Sequence, residues 1–220
     1  MKKFNLFCSL ILIITTTVCI IAFAQNITLR TTATYTFYFN DTYVVEDVFE
    51  EYTNSEVSDI LANFFNSWNP EEFQVYEDTG YDIEGVFDKK DSYNMLAIKR
   101  ALDISLILSI VSFIITAAIY FRFLKLDYKP IIRKRFKVSA VLATGFLIGE
   151  MFLLNTKKGL AFLSETLGLV AMEKDSDLMA LLGIDFIGLA DNFLFGFTVL
   201  TLLVAGYITH FLTKPPRIFF

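Results

Sequence analysis

Residues 88–137 read DKKDSYNMLAIKRALDISLILSIVSFIITAAIYFRFLKLDYKPIIRKRFK and decide the fold. Their middle part, 101–121, is mostly apolar and contains a single charge, Asp103. At about 1.5 Å per residue it is long enough to cross the roughly 30 Å hydrocarbon core of a membrane. Residues 122–137 then hold seven Lys and Arg against one Asp. Because short basic loops stay on the cytoplasmic side, this stretch predicts a membrane crossing and its direction.

Three other apolar runs have the length of membrane-crossing helices. They lie in residues 1–24, 138–154 and 187–212, and the helix described above is predicted over 92–121. The chain is 55% hydrophobic, which exceeds the roughly 45–50% of soluble domains. We therefore predict an all-α protein of the cell membrane with four transmembrane helices. Both termini, including the 213–220 tail, are expected in the cytoplasm.

The first apolar run has two interpretations. Ala22, Phe23 and Ala24 precede Gln25 in the small-x-small form of a signal-peptide cleavage site. The run is longer than the ~7–15 residues usual for a signal core, which favours a retained transmembrane helix. Both interpretations place residue 25 on the outer side of the membrane.

Residues 25–91 form a predicted extracytoplasmic cap with a strong negative charge. They hold fifteen Asp and Glu against Arg30, Lys89 and Lys90. This balance excludes nucleic acid as a partner of the cap, because its phosphates would be repelled. The cap is therefore expected to contact lipid or protein.

The clearest element of the cap is a helix that begins at Thr53. Thr53 and Glu56 have capping-box spacing, and apolar residues then recur at helical spacing as far as Phe65. We expect this apolar stripe to face the membrane surface or the outer ends of the transmembrane helices. The other predicted elements are a strand or interfacial segment over 34–39, a short acidic helix over 44–52, a loop over 71–86, and a helix capped by Phe87 and Asp88.

Residues 155–186 are apolar but broken by glycines and acidic residues. Residues 159–172 and 177–186 have helical character but are too short to span a membrane. We therefore predict a re-entrant or interfacial hairpin on the outer side. After the last helix, Pro215 and Pro216 are expected to act as a stop.

Four polar residues are expected at similar depth near the outer helix ends: Asp103, Glu150, Asp191 and Asn192. Charges inside membrane segments cost roughly 2.5–3.5 kcal/mol on insertion scales, so these residues need an explanation. One is ligand binding, to a cation or a polar head group. The other is interfacial solvation with ion pairing, for which the available cations are Lys99, Arg100, Lys157 and Lys158.

Metal and cofactor sites are not predicted. Cys8 and Cys19 lie in the first apolar run, and His210 lies at the cytoplasmic end of the last helix. No Cys or His spacing typical of a zinc site occurs.

Three stretches carry a family resemblance. Residues 87–99 read FDKKDSYNMLAIK, residues 161–166 read AFLSET, and residues 177–186 read DLMALLGIDF. Together with the order of helices, acidic insert, basic loop and hairpin, they resemble the bacterial lipoprotein intramolecular transacylases. Members of that family move an acyl chain within the lipid-modified N-terminus of a lipoprotein at the outer face of the membrane.

The resemblance implies that two family histidines are replaced in this chain. Asn94 stands in the place of the first. Glu165, or Thr166 if the alignment shifts by one residue, stands in the place of the second. The implied function is binding of membrane lipid or acylated lipoprotein, with any acyl transfer using Glu165 or Glu150 as base and Asn94 and Tyr93 to orient the substrate. The alternative is a non-catalytic accessory subunit of a larger membrane complex that docks through its acidic cap.

Overall fold

A computed structural model describes residues 3–49, 51–68, 73–78, 83–154, 156–170 and 176–214. The elements in these ranges are α1 (Lys3–Arg30), α2 (Thr32–Asp41), α3 (Val44–Val48), α4 (Asn54–Asn66), β1 (Tyr76–Asp78), β2 (Ile83–Gly85), α5 (Lys89–Lys125), α6 (Lys129–Leu154), α7 (Lys157–Leu167), α8 (Asp177–Leu182) and α9 (Ile184–Thr213). Helices α1, α5, α6 and α9 are long and apolar enough to cross a membrane. The predicted four-crossing helical architecture is therefore confirmed, with one short β-hairpin added.

The chain forms two compact units. The membrane unit comprises Met1–Gln25, Ser105–Glu150 and Phe195–Phe220, and the acidic unit comprises Asn26–Ile104 and Met151–Leu194. The acidic unit holds 22 of the 24 Asp and Glu but only 8 of the 19 Lys and Arg. The charge asymmetry along the sequence is thus also a difference between the two units.

Hydroxyl groups join the helices of the membrane unit. Thr116 Oγ1 donates to Thr15 Oγ1 over 2.9 Å, and Ser139 Oγ donates to the Ile13 carbonyl over 3.1 Å. Such bonds are typical of packed membrane helices, because lipid offers a polar side chain no partner. The unit also has an apolar cluster, formed by Cys8, Leu12, Ile119, Phe123 and Ile132.

Helix α1 is the most enclosed of the four long helices. In the apolar 18-residue stretch of α1, 44% is buried, against 17% in the corresponding stretch of each of the other three helices. Ala22 and Ala24 are buried, and the helix continues beyond Gln25 to Arg30. This packing favours the interpretation of α1 as a retained helix, which stays a prediction.

The predicted basic loop over 122–137 is mostly helical. Only residues 126–128 separate α5 from α6. Asp127 has a φ of 55°, and the Tyr128 N–H donates to the Phe123 carbonyl over 2.8 Å, a pattern that closes a helix C-terminus. Lys and Arg are good helix formers, so the charge that suggested a loop does not prevent helix formation.

The end of α9 is held by a residue of the same basic segment. Arg133 Nε donates to Thr213 Oγ1 over 2.7 Å, and the guanidinium also donates to the Thr213 carbonyl. A cation is favourable there because the last carbonyls of a helix lack intrahelical partners. The stop expected at 215–216 lies outside the described residues.

Aromatic side chains build the core of the acidic unit. Leu61 and Phe65 of the α4 stripe are buried. Tyr35 of α2 stacks on Phe65 and Phe186, with ring centroids 6.4 and 5.5 Å apart. Met95 of α5 and Phe186 of α9 belong to the same cluster. The α4 stripe thus packs on the ends of long helices, and much of the core comes from the insert itself.

Residues 34–39 form a helix, so the predicted strand is wrong, whereas the interfacial alternative stays a prediction. They lie within α2, where Tyr35, Tyr38 and Phe39 are all buried. A spacing of three and four residues places these rings on one helix face, and packing overrides the β-propensity of aromatic residues. The helix predicted over 44–52 is present but shorter, at Val44–Val48.

Residues 71–86, predicted as a loop, contain the β-hairpin. Tyr76 pairs with Gly85 in antiparallel register. The Gln74 amide closes the open end, because Nε2 donates to the Phe87 carbonyl over 2.7 Å and Oε1 accepts from the Phe87 N–H over 2.9 Å. A Cβ at Gly85 would lie 2.5 Å from Gln74 Nε2. The strands are too short to show an alternating pattern in the sequence.

Helices α7 and α8 supply the two short helices predicted in 155–186, with different bounds. α7 ends at Leu167, and the next residue, Gly168, has a φ of 68°. The Leu169 N–H donates to the Ser164 carbonyl over 2.8 Å. This left-handed glycine stops the helix, so the predicted helix as far as 172 is wrong at residues 168–170. Residues 171–175 lie outside the described part.

The capping box of α4 makes the stability of the acidic unit pH-dependent. The Thr53 N–H and hydroxyl donate to the Glu56 carboxylate over 2.9 and 2.7 Å. These bonds, the backbone one first, lower the pKa of Glu56 from its ordinary value of 4.5. The resulting stabilisation is complete above the unfolded pKa and is lost as the pH falls through the lowered folded pKa.

We predict that Glu56→Gln removes this acid-sensitive contribution. Thermal unfolding of the parent and the variant, followed by circular dichroism across the acid range, measures it. Asp59→Asn, at an exposed position one turn further along α4, is the control. It is expected to lose stability in acid as the parent does. If Glu56→Gln and the parent lose stability equally below about pH 4.5, the interpretation of the capping box is contradicted.

Candidate functional site

The first turns of α5, residues 91–103, are named here the α5 hub. The helix begins where the Asp91 N–H donates to Asp88 Oδ1 over 2.6 Å, which confirms the predicted N-cap. Side chains of the hub then bond to other segments of the acidic unit. The partner residues are Ser176, Phe73, Val170, Phe65 and Arg30.

A charged cluster of Arg30, Lys99 and Asp103 lies at the C-terminal end of the hub. Lys99 Nζ lies 3.1 Å from both carboxylate oxygens of Asp103, and Arg30 Nη2 lies 2.5 Å from Asp103 Oδ1. The side chain of Lys99 is 2% exposed, against 13% for Arg30 and 40% for Asp103. Of the expected partners of Asp103, Lys99 is therefore confirmed.

Both cations of the cluster also bind the end of α4. Lys99 Nζ donates to the Phe65 carbonyl over 3.2 Å, and the Arg30 guanidinium donates to the same oxygen. Asn66 Nδ2 donates in return to the Arg30 carbonyl over 2.8 Å. The last carbonyls of a helix carry partial negative charge, so the cluster satisfies them and joins α1, α4 and α5.

We predict that Lys99→Ala lowers the free energy of unfolding by about 1–3 kcal/mol. This is less than the roughly 3–5 kcal/mol lost when a buried charge keeps no partner, because Asp103 retains Arg30. Arg100→Ala is the matched control, since Arg100 is the exposed neighbour and a change within about 0.5 kcal/mol is expected. Thermal unfolding in mild detergent compares the two. Equal melting temperatures would argue against the cluster.

Asn94 is fully buried and binds the backbone of Val170 with both ends of its amide. Nδ2 donates to the Val170 carbonyl over 3.0 Å, and Oδ1 accepts from the Val170 N–H over 2.8 Å. One turn earlier, Asp91 Oδ1 accepts from the Ser176 hydroxyl over 2.7 Å. The Asn94 side chain is 0% exposed. In this arrangement it positions the chain after α7 and is closed to a substrate.

We predict that Asn94→Ala destabilises the acidic unit by about 1–3 kcal/mol, because it leaves two backbone groups of Val170 unpaired. The segment around Val170 is then expected to be cleaved faster by protease. Tyr93→Ala is the control, since Tyr93 is half-exposed. Thermal unfolding and limited proteolysis measure both variants. If Asn94→Ala were as stable and as resistant as the parent, the positioning role would be wrong.

The other predicted site residues lie in different surroundings. Tyr93 and Glu165 are exposed, on α5 and α7. Glu150 is partly buried near the end of α6 and belongs to the membrane unit. The structure therefore does not place Glu150 in the same unit as Asn94. Their catalytic roles stay predictions.

Asp191 and Asn192, both predicted to bind a ligand, differ in exposure. Asp191 is 8% exposed, and no hydrogen bond or ion pair joins its carboxylate to another described residue. Asn192 is exposed. In the part of the chain that the structure describes, no group of three or more His, Cys, Asp or Glu could hold a metal ion. The cation-site explanation for the acidic residues gains no support there.

Arg30 and the backbone partners of the hub were not predicted from the sequence. One signal for Arg30 was present, since it is the only basic residue in 25–88. A single cation among so many carboxylates is a candidate for a buried structural role. The Phe65 carbonyl and the Val170 backbone leave no trace in side-chain patterns.

The four long apolar helices define a multi-pass integral membrane protein. No protein-family model matches the chain, and no curated protein matches it. Solved structures do match it in fold.

The membrane integral lipoprotein intramolecular transacylase Lit from Bacillus cereus matches with a TM-score of 0.77 at 13% sequence identity, covering 97% of this chain and 98% of that chain. Two Lit variants, with one histidine replaced by arginine or alanine, match with TM-scores of 0.75 at 11% identity. They cover 96% of this chain and 92% and 94% of the variants. The resemblance seen in the sequence is thus confirmed for the fold: the chain is an integral membrane protein that resembles lipoprotein intramolecular transacylases.

Proposed function

We propose that this protein binds membrane lipid or an acylated lipoprotein at the outer leaflet without transferring the acyl chain. The likeness to Lit over nearly the whole chain supports the binding part of the proposal. The Asn94–Val170 pairing carries the rest, because the residue in the place of the first family histidine is buried and bound to the backbone.

The remaining groups offer little for acyl transfer. An amide such as that of Asn94 is not a base near neutral pH. The single histidine of the chain, His210, lies in the last turn of α9 and in the membrane unit. If the chain nevertheless transferred an acyl group, the base would be Glu165 or Glu150, and Tyr93 rather than the buried Asn94 would orient the substrate.

The proposal includes a direction in the membrane. The basic segment at the α5–α6 turn favours a cytoplasmic position for that turn. The acidic unit then lies outside and both termini lie inside. We further propose that α1 is retained, because its buried face is part of the membrane unit.

Native mass spectrometry of the full chain in mild detergent, with lipid extraction from the same sample, tests the binding proposal. We expect a lone chain that carries phospholipid or lipopeptide, with a mass that includes residues 1–24. A chain that carries neither ligand would contradict the binding proposal. A mass that lacks residues 1–24 would contradict the retention of α1.

Incubation with a synthetic diacylated lipopeptide tests the absence of transfer. The parent is expected to leave the acyl chain in place, as are Glu165→Gln and Glu150→Gln. Transfer by the parent that one of these two variants abolishes would overturn the non-catalytic proposal and assign the base. Binding and transfer are thus judged by separate readouts.

A second candidate function is that of an accessory subunit, which the charge of the acidic unit favours. With 22 acidic against 8 basic residues, the unit suits a basic protein surface. The same mass spectra decide between the two functions. A stoichiometric protein partner without lipid would support the accessory role.

A further inference from the structure

Helix α7 is held in one orientation at both of its ends. At its start Gly159 is buried against α6, and a Cβ there would lie 1.8 Å from the Leu153 carbonyl oxygen. Thr156 caps the first turn, accepting from the Gly159 N–H over 3.0 Å. Beyond its end, Val170 is bound by Asn94 of the α5 hub. The side chains of α7 are therefore presented in a fixed direction.

The exposed side of α7 carries two lysines, an aromatic ring and one carboxylate, that of Glu165. Lys157 and Lys158 are exposed in the first turn, and Phe162, one turn later, is 60% exposed. Leu160, Leu163 and Leu167 are only partly buried. A helix with this mixture of basic and apolar residues is typical of one that lies in a membrane interface.

The position of α7 directly after a membrane-crossing helix favours a place near lipid. Phe152, in the last turn of the membrane-crossing helix α6, is 73% exposed. Residues 155 and 156 alone separate α6 from α7, so α7 begins close to the depth at which α6 ends. The exposed lysines also stand out in a unit with a large excess of acidic residues.

We propose that α7 lies in the headgroup layer and binds anionic phospholipid, with the Lys157 and Lys158 ammonium groups on lipid phosphate and the Phe162 ring among the upper acyl carbons. Each lysine near an anionic membrane surface strengthens binding to that surface by about fivefold. The proposal needs only the membrane location of the chain, and it is independent of the lipoprotein substrate and of acyl transfer.

A single tryptophan at position 162 tests the proposal. The chain has one tryptophan, Trp68, which is almost fully exposed, so Trp68→Phe with Phe162→Trp gives one reporter. The full chain is reconstituted in phosphatidylcholine vesicles that contain phosphatidylglycerol, with bromine on the acyl chains of either lipid. We expect stronger quenching of the reporter by brominated phosphatidylglycerol. In Lys157→Gln with Lys158→Gln, this preference is expected to fall roughly fivefold or more.

Two controls make the result specific to α7. Lys89→Gln with Arg100→Gln removes two exposed cations from α5 of the same unit and is expected to keep the preference. Phe146→Trp, at an exposed position of α6, is expected to be quenched equally by both lipids. If the double lysine variant does not fold, added salt replaces it, because screening removes the preference of an exposed lysine pair.

Several outcomes would overturn the proposal. Quenching by neither lipid would mean that the ring does not reach the membrane. If the emission were then blue-shifted and depended on the protein-to-lipid ratio, a second copy of the chain would be the partner. Equal quenching by both lipids, or a preference that survives loss of the lysines and high salt, would remove the role of Lys157 and Lys158.

Discussion

A buried ammonium group has to keep its charge paired, and Lys99 constrains the acidic unit in this way. Leaving such a charge without partners in the interior costs several kcal/mol. Lys99 avoids this cost only where Asp103 and the Phe65 carbonyl meet it, and Arg30 shares both acceptors. The ends of α1 and α4 must therefore reach α5 together. One cation thus sets the relative positions of three helices that are distant in sequence.

The α5 hub holds the chain that follows α7 through hydrogen bonds of its buried polar side chains. Asn94 exchanges two hydrogen bonds with the backbone of one residue, Val170, and Asp91, one turn earlier on α5, accepts a hydrogen bond from Ser176. A histidine has only two ring nitrogens and lacks the amide's donor and acceptor on one carbon. Asn94 therefore suits this pairing with Val170 better than a histidine would, and its contacts in the acidic unit are structural.

The composition and length of the apolar runs were sufficient to predict the membrane-crossing helices. A membrane imposes a length and a polarity that any crossing segment must meet. The α4 capping box and the Asp88 N-cap were also predictable, since both are local. The helical state of 34–39 was not, because it depends on Phe65 and Phe186 packing against Tyr35. The cluster around Lys99 was predictable in part: its i, i+4 partner Asp103 is visible in the sequence, whereas Arg30 is far away.

The enclosure of α1 has a consequence for biosynthesis. Its hydroxyl contacts are made with Thr116 and with Ser139, more than one hundred residues later in the chain. In the order of synthesis α1 therefore precedes the residues that its threonines contact. Until α5 and α6 arrive, its threonines can bond only to their own preceding turn, as Thr15 and Thr17 do. The contacts that enclose α1 in the membrane unit can thus form only after α5 and α6 have been made.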